Sequence, residues 1–269
     1  MTTVQFPIVG IGASAGGIDA FRAFFNHMPA DSGMAFIVIL HLPAEYKSML
    51  GDILSRWTSM SVVDATDGTP IKANHVYVPP PQGIVTIVDR CLGIKTPEDN
   101  DRVHHPIDGF FDSLGTAIGE RAVGIVLSGT GSDGALGLKA IKERGGLTIA
   151  QGKDGTEPQY EEMPAGAIAT GAVDLILPVQ DIPRHLLRLK NTSIELPVDG
   201  DAYSAIETDR LTICGLLRTH LGHDFRDYRR QTFLRRVERR MALVNTPELK
   251  DYIAKLRTDP AEISALFRD

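Results

Sequence analysis

Cysteine is scarce in this 269-residue chain and tryptophan occurs once. The two cysteines, Cys91 and Cys214, stand far apart and form no C-x-x-C pair, so neither a disulfide framework nor a thiolate zinc site is indicated. Both are expected as reduced thiols. No apolar run approaches the ~20 residues that a membrane span needs. The N-terminal stretch MTTVQFPIVGIGAS has no basic segment, and glycines interrupt its apolar run early. No membrane insertion and a cytoplasmic location are therefore expected. Positive charge is short as well: the formal net charge of −6 argues against a general nucleic-acid binder, which would set an excess of Lys and Arg against phosphates.

What is present is the composition of an ordinary globular protein, 43% hydrophobic and 23% charged. The charge is unevenly spread. Residues 1–205 hold 15 basic and 24 acidic residues, a net −9, whereas residues 206–269 hold 13 and 10, a net +3. The contrast points to two regions with different surface partners.

Residues 6–12 read as a short apolar strand entering a glycine turn, and Ile18, Phe21, Phe24, Phe25 and Met28 follow at helical spacing. Residues 35–40, AFIVIL, form a continuous apolar run of the kind a buried parallel strand requires. A helix carrying Met49, Leu50, Ile53, Leu54 and Trp57 comes next. Residues 60–95 hold short β runs broken by Asp-Gly, Pro and Gly, which predicts hairpins or edge strands. Alternation then resumes: helix near 107–119, strand 122–128, helix 134–144, strand 146–150, short helix near 163–170, strand 173–177. The expected fold is α/β, a doubly wound and mostly parallel sheet with a β-hairpin insertion, followed by a small all-α domain. The boundaries expected are 1–189 for the α/β domain, 190–206 for a linker without periodicity, and 207–269 for the helical domain.

The segment Gly10-Ile11-Gly12-Ala13-Ser14-Ala15-Gly16-Gly17 admits three readings. It resembles a dinucleotide-binding turn, but the acid that should hold a ribose is absent at the end of the second strand, which stops at His41. It matches G-x-S-x-G, a tight strand-to-helix turn that exposes a nucleophilic serine. Or the glycines simply turn the chain, with Ser14 capping the helix.

Partners elsewhere bear on the choice. A serine nucleophile needs a base within reach and a carboxylate to orient it. Ser14 follows the first strand, His41 the second, and Asp133 the strand 122–128, so all three are expected outside the carboxyl edge of one parallel sheet. The alternatives are a loop histidine at His41 and a helix N-cap at Asp133. The Ser–His–Asp order differs from that of α/β-hydrolases, which is no obstacle because geometry defines a triad. His104 and His105 with Asp108 nearby are a weak metal signal, and no metal is expected.

At these residues the sequence resembles the catalytic domain of the CheB protein-glutamate methylesterases. The matching motifs are GASAGG at 12–17, HLP at 41–43, HHPIDGFFDSLG at 104–115, SGTGSDGALGLKAIKERGG at 128–146 and MPAGAIATGAVDLILP at 163–178. The resemblance implies Ser14 as nucleophile, His41 as base and Asp133 as orienting carboxylate, with no cofactor. It implies hydrolysis of γ-glutamyl methyl esters on chemoreceptor helices, with glutamine deamidation as a related activity. Backbone N–H groups at Ala15 and Thr130 are the oxyanion candidates. Three positions depart from the family pattern: Ala15 stands where many relatives have Thr, Leu40 where they have Gln, and Thr130 where they often have Met. Ala15 and Leu40 leave open a second reading, a non-catalytic signalling scaffold. Stand-alone relatives carry an N-terminal receiver domain; with the first strand six residues from Met1, none is expected here.

Residues 211–269 resemble the N-terminal helical domain of the CheR receptor methyltransferases, most clearly in YRRQTFLRRVERRM at 228–241. The whole therefore resembles the front of a CheB–CheR fusion, and the native protein is expected to continue into a methyltransferase catalytic domain. No glycine-rich segment follows residue 216, so methyltransferase activity is not expected from this chain itself. Seven arginines lie between Arg226 and Arg240 against two acids. Arg229, Arg230, Arg235, Arg236, Arg239 and Arg240 are the candidates for docking on acidic receptor helices.

Overall fold

The computed structural model describes residues 6–41, 49–81, 83–95, 105–152, 158–191 and 201–269. Leu42, Pro43, His104 and the central part of the expected linker, 192–200, lie outside them.

The elements of the first part are β1 (Ile8–Ala13), α1 (Gly17–Phe25), β2 (Ala35–Leu40), α2 (Leu50–Leu54), β3 (Ser61–Asp64), β4 (Thr69–Pro70), β5 (His75–Val78), β6 (Ile84–Val88) and β7 (Cys91–Lys95). There follow α3 (Pro106–Ile118), β8 (Ala122–Val126), α4 (Ala135–Glu143), β9 (Leu147–Gln151), α5 (Glu162–Ala169), β10 (Leu175–Leu177) and α6 (Ile182–Asn191). The helical part holds α7 (Asp201–Leu221), α8 (Arg230–Leu243), α9 (Leu249–Thr258) and α10 (Pro260–Arg268). The chain forms two compact units, Met1–Arg184 and His185–Asp269.

In the first unit a seven-stranded sheet runs in the order β10-β9-β8-β1-β2-β5-β3, every pair parallel. The central strands are apolar throughout and wholly buried, as a strand covered on both faces must be. The chain leaves β1 toward β2 and later returns to β8 on the other side, so strand order reverses between β1 and β8. That reversal opens a crevice at their carboxyl ends, the usual place for a ligand in an open α/β sheet. A second, three-stranded antiparallel sheet, β4-β7-β6, contains the hairpin insertion.

One expectation for residues 60–95 needs correction. β5 is neither hairpin nor edge: it pairs in parallel with both β2 and β3 inside the main sheet. It is four residues long and its Val76, Tyr77 and Val78 are buried, so a short run without alternation concealed a core strand.

Helix α3 lies close against β1 and β6, with Phe110, Phe111 and Leu114 fully buried. Each such side chain contributes roughly 1.5–3 kcal/mol through burial. The approach depends on glycine: a Cβ at Gly12 would meet Ile107 Cγ2 at 2.5 Å. The second unit has its own core of Ile213, Leu217, Phe233, Val237, Tyr252, Leu256 and their neighbours. Helix α7 begins at Asp201, inside the stretch expected as linker, and α6 runs to Asn191, past that stretch's expected start. An acidic residue in a first helical turn is favoured by the helix dipole, which explains why the acids of this stretch did not mark loop alone.

Candidate active site

The strand register places Ser14. Ala13 is level with Leu40 of β2 and Gly12 with Val126 of β8. Just beyond the ladders, the Ser14 N–H donates to the Ser128 carbonyl at 3.0 Å and the His41 N–H to the Ala13 carbonyl at 2.9 Å. The Ser14 hydroxyl donates to the His41 carbonyl at 3.4 Å. Ser14 thus sits in the crevice with His41 on one side and Ser128 on the other. The turn into α1 requires Gly16, whose φ is +74° and where a Cβ would meet Ser128 Oγ at 2.6 Å. The N-terminal end of α1, its positive pole, follows directly. The His41 imidazole is exposed and makes no hydrogen bond among the described residues.

Asp133 lies in the loop after β8 and is buried, with 3% of its surface exposed. Its carboxylate accepts the N–H of Ile107 at 3.0 Å and that of Asp108 at 2.9 Å. These are donors that an N-cap side chain ordinarily takes, and His105 at the cap position of α3 supplies no such bond. In return Asp108 accepts the N–H of Gly137, in the first turn of α4, at 2.7 Å. Two carboxylates therefore exchange helix ends, and the clasp holds Asp133 in place. Burial pushes the Asp108 carboxyl above its ordinary range, the Gly137 N–H opposes the rise, and the Asp133 charge adds to it. His105 Nδ1 lies 3.9 Å from both Asp108 Oδ2 and Asp133 Oδ1. Donor atoms of these three residues fall within 4.8 Å of one another, yet the Asp133 oxygens and Asp108 Oδ1 already accept backbone N–H groups.

Ser14, His41 and Asp133 thus lie beyond the carboxyl ends of β1, β2 and β8, but no hydrogen-bonded relay joins their side chains among the described residues. The Ser14 hydroxyl meets the backbone of His41, and the carboxylate of Asp133 serves α3. The oxyanion candidates have free donors: among the described residues no acceptor takes the N–H of Ala15 or Thr130, nor that of Gly16. Leu40 packs toward the first turn of α1, where its Cδ1 stands 3.0 Å from where a Gly17 Cβ would be.

Sequence reasoning missed the residues behind the serine. Ser128 is buried, its N–H donating to Gln151 Oε1 at 2.9 Å and its hydroxyl to the Ala15 carbonyl at 2.9 Å. The Tyr160 N–H donates to the same hydroxyl at 3.0 Å. Ser128 opens the SGTGSDG run, which was the one available signal, but serine beside glycine reads equally well as turn chemistry.

In the helical unit the six arginines differ. Arg229 and Arg235 are exposed. Arg230 meets Glu207 at 3.1 Å, and Arg239 approaches Asp269 at 3.8 Å. Arg240 grips buried Glu262 through two bonds of 2.9 and 2.7 Å, and the Tyr252 hydroxyl donates to the same carboxylate at 2.8 Å. Arg236 lines a cavity with Phe225, Tyr228, Phe233 and Phe267.

Residues 9–186 match the family model described as CheB methylesterase, and residues 210–269 that described as CheR methyltransferase, all-alpha domain. An uncharacterised 104.1 kDa protein of Rhodobacter capsulatus is 35% identical over 243 residues, covering 82% of this chain and 25% of that protein. The protein-glutamate methylesterase/protein-glutamine glutaminase 2 of Xanthomonas oryzae pv. oryzae is 37% identical over 188 residues, 68% of this chain and 51% of that enzyme. The chain thus spans about half the length of that methylesterase and a quarter of the Rhodobacter protein. The crystal structure of the Thermotoga maritima CheB methylesterase catalytic domain superposes with a TM-score of 0.63 at 26% identity, covering 69% of this chain and all of that domain. A family model that spans most of the first unit, together with these relatives, settles the matter of kinship: the chain belongs to the CheB methylesterase family.

Proposed function

We propose that this chain is a protein-glutamate methylesterase that hydrolyses γ-glutamyl methyl esters on chemoreceptor helices, with Ser14 as nucleophile, His41 as base and Asp133 as orienting carboxylate. Residues 1–189 are its catalytic domain, and the helical module from α7 onward docks on acidic receptor segments through Arg229 and Arg235. Deamidation of glutamine, an activity in the name of the Xanthomonas relative, uses the same acyl chemistry.

One observation carries the reading. Ser14, on a turn that only glycines permit, lies beside His41 and near a buried aspartate loop at the point where strand order reverses. Swinging the exposed His41 ring toward the serine hydroxyl would complete the first half of the relay; such bonds are often loose in a free enzyme and tighten around substrate. Ser14 Oγ then attacks the ester carbonyl while His41 takes its proton. Methanol leaves with that proton, and water activated by His41 releases glutamate. Asp133 holds and stabilises the imidazolium. The free N–H groups of Ala15 and Thr130 receive the oxyanion.

The test is methanol release from a methylated chemoreceptor cytoplasmic fragment. The chain should release methanol and Ser14→Ala should abolish it. Release that persists in the variant, or none from the parent, would overturn the esterase reading in favour of a scaffold.

A further inference from the structure

The residue behind the nucleophile has more to do than fill space. Every polar atom of Ser128 is engaged: its N–H with Gln151, its carbonyl with the Ser14 N–H, and its hydroxyl with both Ala15 and Tyr160. It is 1% exposed, so it meets neither solvent nor substrate. Its hydroxyl bond to the Ala15 carbonyl has a geometric consequence. In a trans peptide the C=O and N–H point in opposite directions. Anchoring the Ala15 oxygen inward at 2.9 Å therefore aims the Gly16 N–H outward, toward the crevice. The neighbouring peptide is fixed in the same way, because the Ser14 carbonyl accepts the Gly17 N–H at 2.9 Å and the Ala15 N–H is turned from it. Both outward N–H groups are without acceptors among the described residues.

We propose that Ser128 is a positioning residue for the oxyanion hole: its buried hydroxyl locks the Ala15–Gly16 peptide so that Gly16 N–H joins Ala15 N–H as a donor to the transition state. The proposal rests on the esterase reading above. Gly16 and Ser128 are matched parts of the lock, since any side chain at Gly16 would strike the Ser128 hydroxyl. The link to Tyr160 ties the 158–161 segment to the same hydroxyl, and the Gly129 N–H adds a second tie to the Tyr160 carbonyl at 3.1 Å. Preorganised donors accelerate acyl transfer because they need no reorientation when charge develops.

The decisive comparison is Ser128→Thr against Ser128→Val, two side chains of the same shape that differ by one hydroxyl. Methanol release from the methylated receptor fragment and labelling of Ser14 by a phosphonate probe are measured for both, with thermal melts alongside. Ser128→Thr should keep kcat within about fivefold of the parent. Ser128→Val should lose about 100-fold in kcat, the scale for losing one oxyanion donor, with KM little changed and labelling slowed to match. Equal kcat values for the two variants would overturn the positioning role while leaving the esterase intact. A loss confined to KM would overturn it as well. A parent chain that releases no methanol would overturn the esterase reading itself, and this proposal with it.

Discussion

At the scale of one side chain, Asp133 combines a proposed role with an observed one. It is the candidate orienting carboxylate, and it also receives two N–H groups at the start of α3. Removing a capping acceptor costs roughly 0.5–2 kcal/mol, while removing the orienting member of a triad lowers kcat by orders of magnitude. The two losses separate by substitution. Asp133→Asn retains an oxygen for one of the α3 donors, so it should melt closer to the parent than Asp133→Ala while losing at least about 1,000-fold in kcat. If Asp133→Asn keeps most of its activity, Asp133 is a helix cap and nothing more, and His41 is oriented by some other group. The same arithmetic bears on the three departures noted in the sequence. Ala15 and Thr130 would act through backbone N–H, which does not depend on side chain. Leu40 fills space against α1.

Elements, rather than single residues, hold the site together. α3 and α4 each lack a side-chain cap of their own, and each borrows the carboxylate that belongs to the other. The arrangement has a pH signature. Burial raises the Asp108 carboxyl, so the folded chain keeps that proton to higher pH than the unfolded chain does. Below the ordinary carboxylate range both states are neutral and nothing is lost. As pH rises through that range the unfolded chain ionises first, and stability falls until the folded pKa is passed. Asp108→Asn cannot ionise, and its side-chain oxygen can still accept from Gly137. Its melting temperature relative to the parent should therefore rise between pH 4 and pH 7; an unchanged or falling difference across that window would refute the argument. The main elements were legible in the sequence, because buried parallel strands such as AFIVIL are continuous apolar runs and α1 shows its buried face at helical spacing. The clasp was not. His105 offers no cap, and the acceptor for Ile107 comes from 26 residues further along the chain, a pairing that no local pattern encodes. β5 stayed hidden for a related reason: a four-residue strand inside a sheet, its last three residues all buried, shows no alternation.

At the scale of the whole molecule the charge contrast between the first 205 residues and the rest accompanies a change of architecture, from an α/β unit that ends at Arg184 to a helical one with its own core. Arginine was expected to mark a docking surface, yet composition cannot distinguish a cation facing solvent from one that neutralises a buried acid. Arg240 is of the second kind: it pairs with Glu262, which is 5% exposed and also bound by the Tyr252 hydroxyl. Burial and the neighbouring carboxylate push Tyr252 up, so it stays a protonated donor. Truncating Arg240 leaves a buried carboxylate with one neutral partner, which costs roughly 3 kcal/mol or more. Arg229→Ala, at an exposed position, should change stability by less than about 0.5 kcal/mol. If the two units fold on separate cores, Arg240→Ala should lower a transition belonging to the helical unit and leave phosphonate labelling of Ser14 at the parent rate. Labelling measures the serine directly and needs no receptor, so lost docking cannot imitate lost chemistry. Loss of labelling with Arg240→Ala would mean that the α/β unit depends on the helical one to hold its site.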